Sequence, residues 1–519
     1  MMDVPALQGQ RFSRRTLLRT GASAVLGAAA TALLPGATQG ARRPFPVGGS
    51  AARVSAQDAD ALFRALDAKI EAAMAQYHVP GVTVGVYYQG QEYVRGYGVT
   101  NVDYPQPVDG DTLFRIASTT KTFTGTTAMR LVEQGRLDLN ATVRTYLPDF
   151  RVADEAASEQ VTLRQCLNHS AGWLGDFINA DFGRGADALA QYVANMATLP
   201  QLTPPGTQFA YNNAAINVIG RVIEVISGQP YEDAVRALLI DPLGLDQTRF
   251  FTDELAGYPI AGSHSMVDDQ PVFAPELWDF QRSGNPSGGL ISSARDQLRY
   301  ARFHLGDGRA PDGTSLLTPA SLAAMRSQPG PGGTNVAEID GYGISLCLRR
   351  TAEGPHVVEH GGDLTGQHSG FLFVPERDFA MTVLTNSESG GQLKVALCYD
   401  DWALQQFAGL RNPPAVPTRG SPARLAEYEG TYVARMLTEG EWLEIEMSLH
   451  TSDGALRGQL ELAGQAVDQR LEFYRGEYVL VMGDEAGPPP GSVRANFVRA
   501  RDGRVAWFSS GGRLFAHQG

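Results

Sequence analysis

Apolar residues first recur with a helical period after Asp58, where Leu62, Leu66, Ile70 and Met74 fall every fourth residue and line one face. Pro80-Gly81 ends that segment, and residues 82–88 and 92–97, separated by Gln89-Gly90-Gln91, read as a β-hairpin. From Ser118 to about Leu305 the pattern is mostly helical, with Gly/Pro-rich breaks. Strand patterns return at 356–360, 370–374 and 379–385, the last two joined by Pro375-Glu376-Arg377-Asp378. A helix over about 392–407 is placed to cover them. Strands at both ends of a region whose middle is helical do not follow the alternation of a parallel sheet. They predict an α+β fold, one antiparallel sheet flanked by helices and closed by the two ends of the region, with a helical subdomain inserted.

Asn412-Pro413-Pro414 through Ser421-Pro422 is a proline-rich boundary. Beyond it Leu443, Ile445, Met447 and Leu449 alternate with Glu444, Glu446, Ser448 and His450, the period of a half-buried strand. Further strand-like runs at 478–482, 493–498 and 505–508 make 424–519 a small β domain of barrel type. No nucleophile or ligand cluster stands out there, so its expected role is structural or to shape access to a neighbouring site.

The N-terminus adds a processing signal. Ser13-Arg14-Arg15-Thr16-Leu17-Leu18 is a twin-arginine pattern, followed by a weakly apolar Ala/Gly-rich stretch too short to span a bilayer comfortably. The expected order is therefore a twin-arginine signal over 1–43, a linker over 44–57, the α+β domain over 58–410, a Pro-rich linker over 411–423 and the β domain over 424–519. This implies export to the periplasm or beyond, with no stable membrane span after cleavage. The chain carries a net charge of −13, and residues 1–43 account for +5 of it, so the remainder stands at about −18. That balance, with no basic run in the body of the chain, excludes a nucleic-acid partner. Cys166, Cys347 and Cys398 are widely spaced and lack a C-x-x-C, so they are expected as buried thiols, with one possible bridge left open. Oligomeric state is not readable.

Among 43 basic residues only Lys69, Lys121 and Lys394 are lysines. Arginine does not surrender its proton in a protein, whereas a desolvated lysine does. Lys121 follows Ser118 by three residues in Phe114-Arg115-Ile116-Ala117-Ser118-Thr119-Thr120-Lys121, at the start of a helical pattern. Residues three apart on a helix are neighbours, and the positive helix end favours an oxyanion over a charged amine. Both effects favour an activated serine. Alone this pattern is equally that of a capping serine with a solvated lysine.

Two further segments change that balance. Tyr211-Asn212-Asn213 precedes an Ile/Val-rich helical segment, and Glu359-His360-Gly361-Gly362-Asp363 follows on a strand. The trio, in this order, resembles the Ser-x-x-Lys, Tyr-x-Asn and Lys/His-x-Gly motifs of the serine β-lactamase and DD-peptidase superfamily. It looks closest to the class C-like branch, which also holds esterases and D-aminopeptidases. The resemblance covers about 58–407. It implies that Ser118 attacks a carbonyl and becomes acylated, while Lys121 and Tyr211 share the handling of its proton. It also implies that adjacent cations depress the Tyr211 phenol. Asn213 would bond Lys121 or the substrate amide, and the backbone N–H groups of Ser118 and Asp363 would form an oxyanion hole. Gly361 and Gly362 would let the strand approach the substrate. His360 replaces the lysine of the penicillin-directed form with a partly neutral imidazole, which disfavours substrates that carry a carboxylate.

The reading is an exported serine hydrolase of small esters, amides or short peptides, with no cofactor and no metal. The alternatives are a DD-carboxypeptidase, a weak β-lactamase, or a non-catalytic ligand-binding relative. His356 and His360 are spaced like two ligands on a helix, but Val357-Val358 between them favours a strand, where they cannot share a metal. His169 is expected to fix a loop and Ser369 to pack at a strand edge. No G-x-S-x-G elbow or phosphate loop is present.

Overall fold

The computed structural model describes residues 56–178, 181–418, 422–438, 441–462, 465–483 and 493–518. The expected signal over 1–43 and nearly all of the 44–57 linker lie outside them. The first unit is built from helices α1 (Ala56–Tyr77), α2 (Thr120–Glu133), α3 (Asn213–Ser227), α4 (Ala294–Leu305) and α5 (Gly390–Cys398). Its strands are β1 (Gly81–Tyr88), β2 (Gln91–Gly98), β3 (Glu338–Tyr342), β4 (Cys347–Arg349), β5 (Val357–Glu359), β6 (Gly362–Leu364), β7 (Gln367–Val374) and β8 (Phe379–Thr385). They form one antiparallel sheet in the order β2-β1-β8-β7-β5-β4-β3, with the short strand Gly333–Thr334 beyond β3 and β6 pairing separately with β7. The N-terminal strand β1 lies between β2 and the C-terminal β8, so the two ends of the region close the sheet as the pattern predicted.

Both faces of this sheet are covered, so every residue of β7 and β8 is buried, the polar ones included. Side chains alternate between the faces along each strand. On β7, Phe371 and Phe373 join the core that holds α4, while Leu372 and Val374 join the core under α1 and α5. Leu66 and Ile70 of α1 are fully buried there. The helix over 392–407 is broken: α5 stops at Cys398, and a short turn, Asp401–Ala403, leads into a π-helical turn, Leu404–Ala408. The pattern gave no sign of β3 or β4, because Asp340-Gly341 interrupts one and the other has three residues. The three cysteines are free and buried.

The second unit is a closed eight-stranded antiparallel barrel. Its strands are β9 (Gly430–Thr438), β10 (Glu441–Ser452), β11 (Ala455–Leu462), β12 (Gln465–Arg475), β13 (Tyr478–Met482), β14 (Val493–Arg499), β15 (Val505–Ser510) and β16 (Arg513–His517). Each pairs with the next, and β16 closes back on β9. Ile445, Met447 and Leu449 fill the interior, as their alternation requires. Several contacts join the barrel to the first unit. Residues Phe177–Ile178 pair in parallel with Leu437 and Thr438 of β9. Thr334 donates to the Asn496 side chain at 2.9 Å. Glu338, buried, accepts from the Tyr474 hydroxyl at 2.7 Å and from Arg475, and faces Arg494 at 3.3 Å.

Removing one partner of a buried ion cluster strands the others without solvation. Glu338→Ala is expected to cost about 3 kcal/mol, the low end of the range for such pairs because Arg475 is half exposed. The check is a lower urea midpoint together with faster proteolysis between 411 and 423.

Candidate functional site

Ser118 stands on the 3₁₀ turn Ala117–Thr119 that leads directly into α2. Ala117 holds a left-handed φ of +48° although it carries a side chain and is buried. Such a conformation is costly for a non-glycine residue and persists only where the surroundings hold it. Here they do: the Ile116 N–H donates to Leu290 O at 3.0 Å, and the Thr119 N–H donates to Ile116 O at 3.1 Å. Residues 112–117 and 119–129 are buried, while Ser118 is partly exposed. The turn thus presents one hydroxyl to the cleft from an otherwise closed wall.

Lys121 is completely buried one helical turn on. Its Nζ donates to Ser118 Oγ at 2.9 Å and to the Ser287 carbonyl at 2.6 Å, and lies 5.0 Å from the centre of the Tyr211 ring. Burial holds its amine well below the ordinary lysine value, Arg513 acts in the same sense, and Asp176 opposes them. Tyr211 shares a hydrogen bond with Ser118, but its phenol is not depressed as expected. Burial raises it above the ordinary tyrosine value, outweighing the Ser118 bond and the Arg513 charge. The cation beside it, Lys121, is itself driven toward neutrality by burial.

The neighbours of Tyr211 divide unexpectedly. Asn212 caps α3: its Oδ1 accepts from the Ala215 N–H at 2.7 Å, and its Nδ2 donates to Trp173 O at 2.8 Å. Asn213 was expected to meet Lys121 or a substrate amide, yet its Nδ2 donates to Asp176 Oδ1 at 3.2 Å. As the first residue of α3 it points toward the Gly175-Asp176 segment. His169 fixes this loop, as expected. With a left-handed φ of +58°, it accepts the Asn212 N–H on Nδ1 at 3.1 Å and the Ala210 N–H on its carbonyl at 2.9 Å. Its ring lies 4.4 Å from that of Tyr211.

The third motif lies against the Ser118 turn. His360 accepts a hydrogen bond from Thr119 Oγ1 on its carbonyl at 3.0 Å, and its Nδ1 meets Gly361 O at 2.7 Å. Burial, with Lys121 acting in the same direction, takes its imidazole down to about 3. It is therefore neutral rather than partly neutral at physiological pH. Ser369 donates to Ile116 O at 2.6 Å and pairs with Thr119 Oγ1 at 2.8 Å, a packing role at the strand edge. A Cβ on Gly362 would stand 2.2 Å from Ile116 O and 2.9 Å from the Ser118 nitrogen, so β6 runs directly along the backbone of the Ser118 turn.

Gly361 faces the opposite way, where an added Cβ would lie 3.7 Å from Lys394 Nζ. Asp363, about a third exposed, accepts from Lys394 and from His368 Nδ1 at 2.7 Å, the histidine in turn meeting Glu388 O at 3.1 Å. Burial pushes the Asp363 carboxyl up, but Lys394 and then His368 outweigh it and hold it well below the usual carboxylate range. Sequence reasoning missed Asp176, Ser287, Lys394 and Arg513. Lys394 had a signal, being one of three lysines, and Ser287 lies in Pro286-Ser287-Gly288-Gly289, a segment that itself resembles the family pattern; Asp176 and Arg513 had none. His356 pairs with Asp340 at 2.7 Å. Among the described residues no group of His, Cys, Asp or Glu is arranged to hold a metal ion.

A closed antiparallel sheet, a helical insert, and a serine turn facing a strand together define the β-lactamase class of fold. The chain belongs to the Beta-lactamase family, whose family model matches residues 66–400. It is 35% identical over 369 residues to penicillin-binding protein 4 of Amycolatopsis lactamdurans, an alignment spanning 70% of this chain and 96% of that protein. The structure of SurE with D-Leu matches with a TM-score of 0.68 and 27% identity, covering 88% of this chain and all (100%) of that one. D-amino acid amidase from Ochrobactrum anthropi SV3, at 24% identity and a TM-score of 0.54, covers 65% of this chain and 96% of its own and shares the fold.

The contact of β6 with the Ser118 turn yields a direct expectation. Gly362→Ala forces the strand away from Ser118 and is expected to slow reaction at that serine by about a hundredfold, the scale of losing one oxyanion donor. Labelling by a fluorophosphonate probe, with far-UV circular dichroism to confirm folding, measures it.

Proposed function

We propose that the protein is an exported serine hydrolase that forms an acyl-enzyme on Ser118 and hydrolyses small esters or amides. The observation that carries this is the buried Lys121 amine, whose hydrogen-bond partners are the Ser118 hydroxyl and a carbonyl. An ammonium in that position lacks an adjacent counter-ion and is expensive, so the neutral amine is the resting form. A neutral amine 2.9 Å from a serine hydroxyl is a base awaiting a proton.

The opposite shifts of Lys121 and Tyr211 separate their work. Lys121 takes the Ser118 proton as Oγ attacks the carbonyl carbon. Tyr211, held protonated, donates to the leaving group as the carbon–heteroatom bond breaks, and is reprotonated through Lys121. Water then attacks the acyl carbonyl, Lys121 takes its proton, and that proton passes to Ser118 Oγ as the acyl–oxygen bond breaks and the acid is released. Backbone N–H groups of Ser118 and Asp363 are the donors proposed for the oxyanion. Asn213 acts in this scheme through Asp176 rather than on Lys121.

Two observations bear on substrate. The neutral, buried His360 offers no cation to a substrate carboxylate, which speaks against penicillins as preferred substrates. Similarity to a D-Leu-bound structure and to a penicillin-binding protein supports D-amino-acid amides or peptides beside simple esters. The twin-arginine pattern at 14–15 supports export. Among the described residues no helix is long and apolar enough to cross a membrane.

Fluorophosphonate labelling of the full chain is expected to disappear in Ser118→Ala; labelling that persists there refutes the nucleophile. Lys121→Arg is expected to lose activity as completely as Lys121→Ala, because arginine keeps its proton. In the wild type, the labelling rate rises with pH as Lys121 deprotonates, with a midpoint well below 10.5. Tyr211→Phe separates the two proton carriers. Turnover of D-aminoacyl amides, whose amine must be protonated to leave, is expected to fall at least about a hundredfold, the scale of general acid catalysis. Acylation by p-nitrophenyl esters, whose phenolate leaves unaided, is expected to fall far less.

A further inference from the structure

The barrel reaches into the site through one turn. Ser510 and Arg513 are paired across it, leaving Gly511-Gly512 as a two-residue loop with φ of +56° and +75°. Two successive positive φ values define the tightest hairpin turn, open to glycine at little cost. A Cβ on Gly512 would stand 2.9 Å from Tyr211 Cβ, and the Gly512 carbonyl accepts the Tyr211 N–H at 2.8 Å. The next residue, Arg513, grips Asp176 with both prongs, Nε at 2.6 Å and Nη2 at 3.1 Å. Both side chains are nearly buried, at 14% and 6% exposure. Asp176 also accepts from Asn213, and its own carbonyl accepts the Leu437 N–H of β9 at 2.8 Å.

We propose that the Gly511–Arg513 turn is a working part of the reaction centre, with Arg513 a positioning residue that sets Tyr211 and Asn213 from the barrel side. The inference rests on the reading of Ser118 and Lys121 given above. Its physical basis has two parts. The first is geometric: the backbone of the second motif is held between His169, from the helical insert, and Gly512, from the barrel. The second is electrostatic. The groups that face Lys121 and Tyr211 are Ser118, Tyr342, whose phenol burial keeps protonated, His169 and His360, both kept neutral by burial, the carboxylates Asp176 and Asp363, and Arg513. Asp363 is paired with Lys394 and hydrogen-bonded to His368. Asp176 alone, buried and unpaired, would draw a proton onto Lys121 and disable the base. Arg513 closes that route by pairing with it, bidentate and always charged.

The test uses the full chain and reads the pH dependence of fluorophosphonate labelling beside thermal stability. Arg513→Met is expected to slow labelling at neutral pH at least tenfold and to move the midpoint of the pH profile upward, because the unpaired Asp176 favours the ammonium. The double variant Arg513→Met, Asp176→Asn removes both charges, so its midpoint is expected to return toward the wild-type value while the rate stays depressed. Glu338→Gln, which weakens barrel docking without touching Tyr211, Asp176 or Arg513, is expected to leave the midpoint in place. If Arg513→Met does not fold, Arg513→Lys carries the test: it keeps the charge and loses the fork, and a rate lowered several-fold is expected. A folded Arg513→Met, or in its place Arg513→Lys, with wild-type rate and midpoint overturns the inference. So does a loss of rate with an unmoved midpoint that Glu338→Gln reproduces. A wild-type chain that fails to label sinks the reading of the site itself, and this inference with it.

Discussion

A lysine amine sealed from water, with a hydroxyl and a carbonyl for partners, is the constraint around which this molecule is organised. Burial of a charged ammonium without a counter-ion is costly enough that the group gives up its proton instead. Keeping Lys121 in that state requires a dry pocket on every side. The strained turn at Ala117 brings the serine to it, the Ser287 carbonyl fixes its remaining direction, and the Tyr211 ring closes the top. His169 and His360 complete the wall and are themselves neutralised by burial, so they add polarity without charge.

Around this neutral centre the charges are arranged in closed pairs. Asp363 is tied to Lys394 and His368 behind the β6 strand, and Asp176 is tied to Arg513 of the barrel. Each pair lies close enough to disturb Lys121 or Tyr211 if opened, and each is closed by a residue from an element distant in sequence. The two units therefore share one electrostatic balance. A barrel whose sequence shows no chemistry of its own contributes through a backbone carbonyl and one guanidinium.

That division explains what could be read along the chain. Ser118 and Lys121 are neighbours by helical spacing, and a contact three residues long is visible in any sequence. The sheet was legible for the same reason: the strand-like runs at 82–88 and 379–385 are local, and their pairing follows from the helical region between them. The Asp176 partner of Asn213 could not be read locally, because it stands 37 residues away. Arg513 meets Asp176 across 337 residues, and nothing in the local pattern around Gly511-Gly512 announces where that turn will dock. Lys394 gave a compositional hint without a location. Its partner Asp363 became apparent only once α5 was packed across β7.

The position of Lys394 bears on what the site can accept. A lysine on the strand itself, at position 360, would present an ammonium to the cleft. Here that place holds a neutral imidazole, and the nearby lysine comes from α5 behind the strand, on the side toward which Gly361 turns. Its charge is consumed by Asp363 before it reaches the cleft. Arg513 is likewise consumed by Asp176. Lys394 and Arg513 are thus committed to the protein's own carboxylates, and a group that displaced either would expose a buried charge at a cost of several kcal/mol, while Arg115, three residues before Ser118, is held by the carbonyls of Trp278 and Gly289. An acyl group presented as an ester or amide asks for no such exchange. Under the proposed function, the same closed pairs that hold the Lys121 amine low also keep Lys394 and Arg513 engaged, so activation of the serine and the charge offered to the cleft follow from one arrangement.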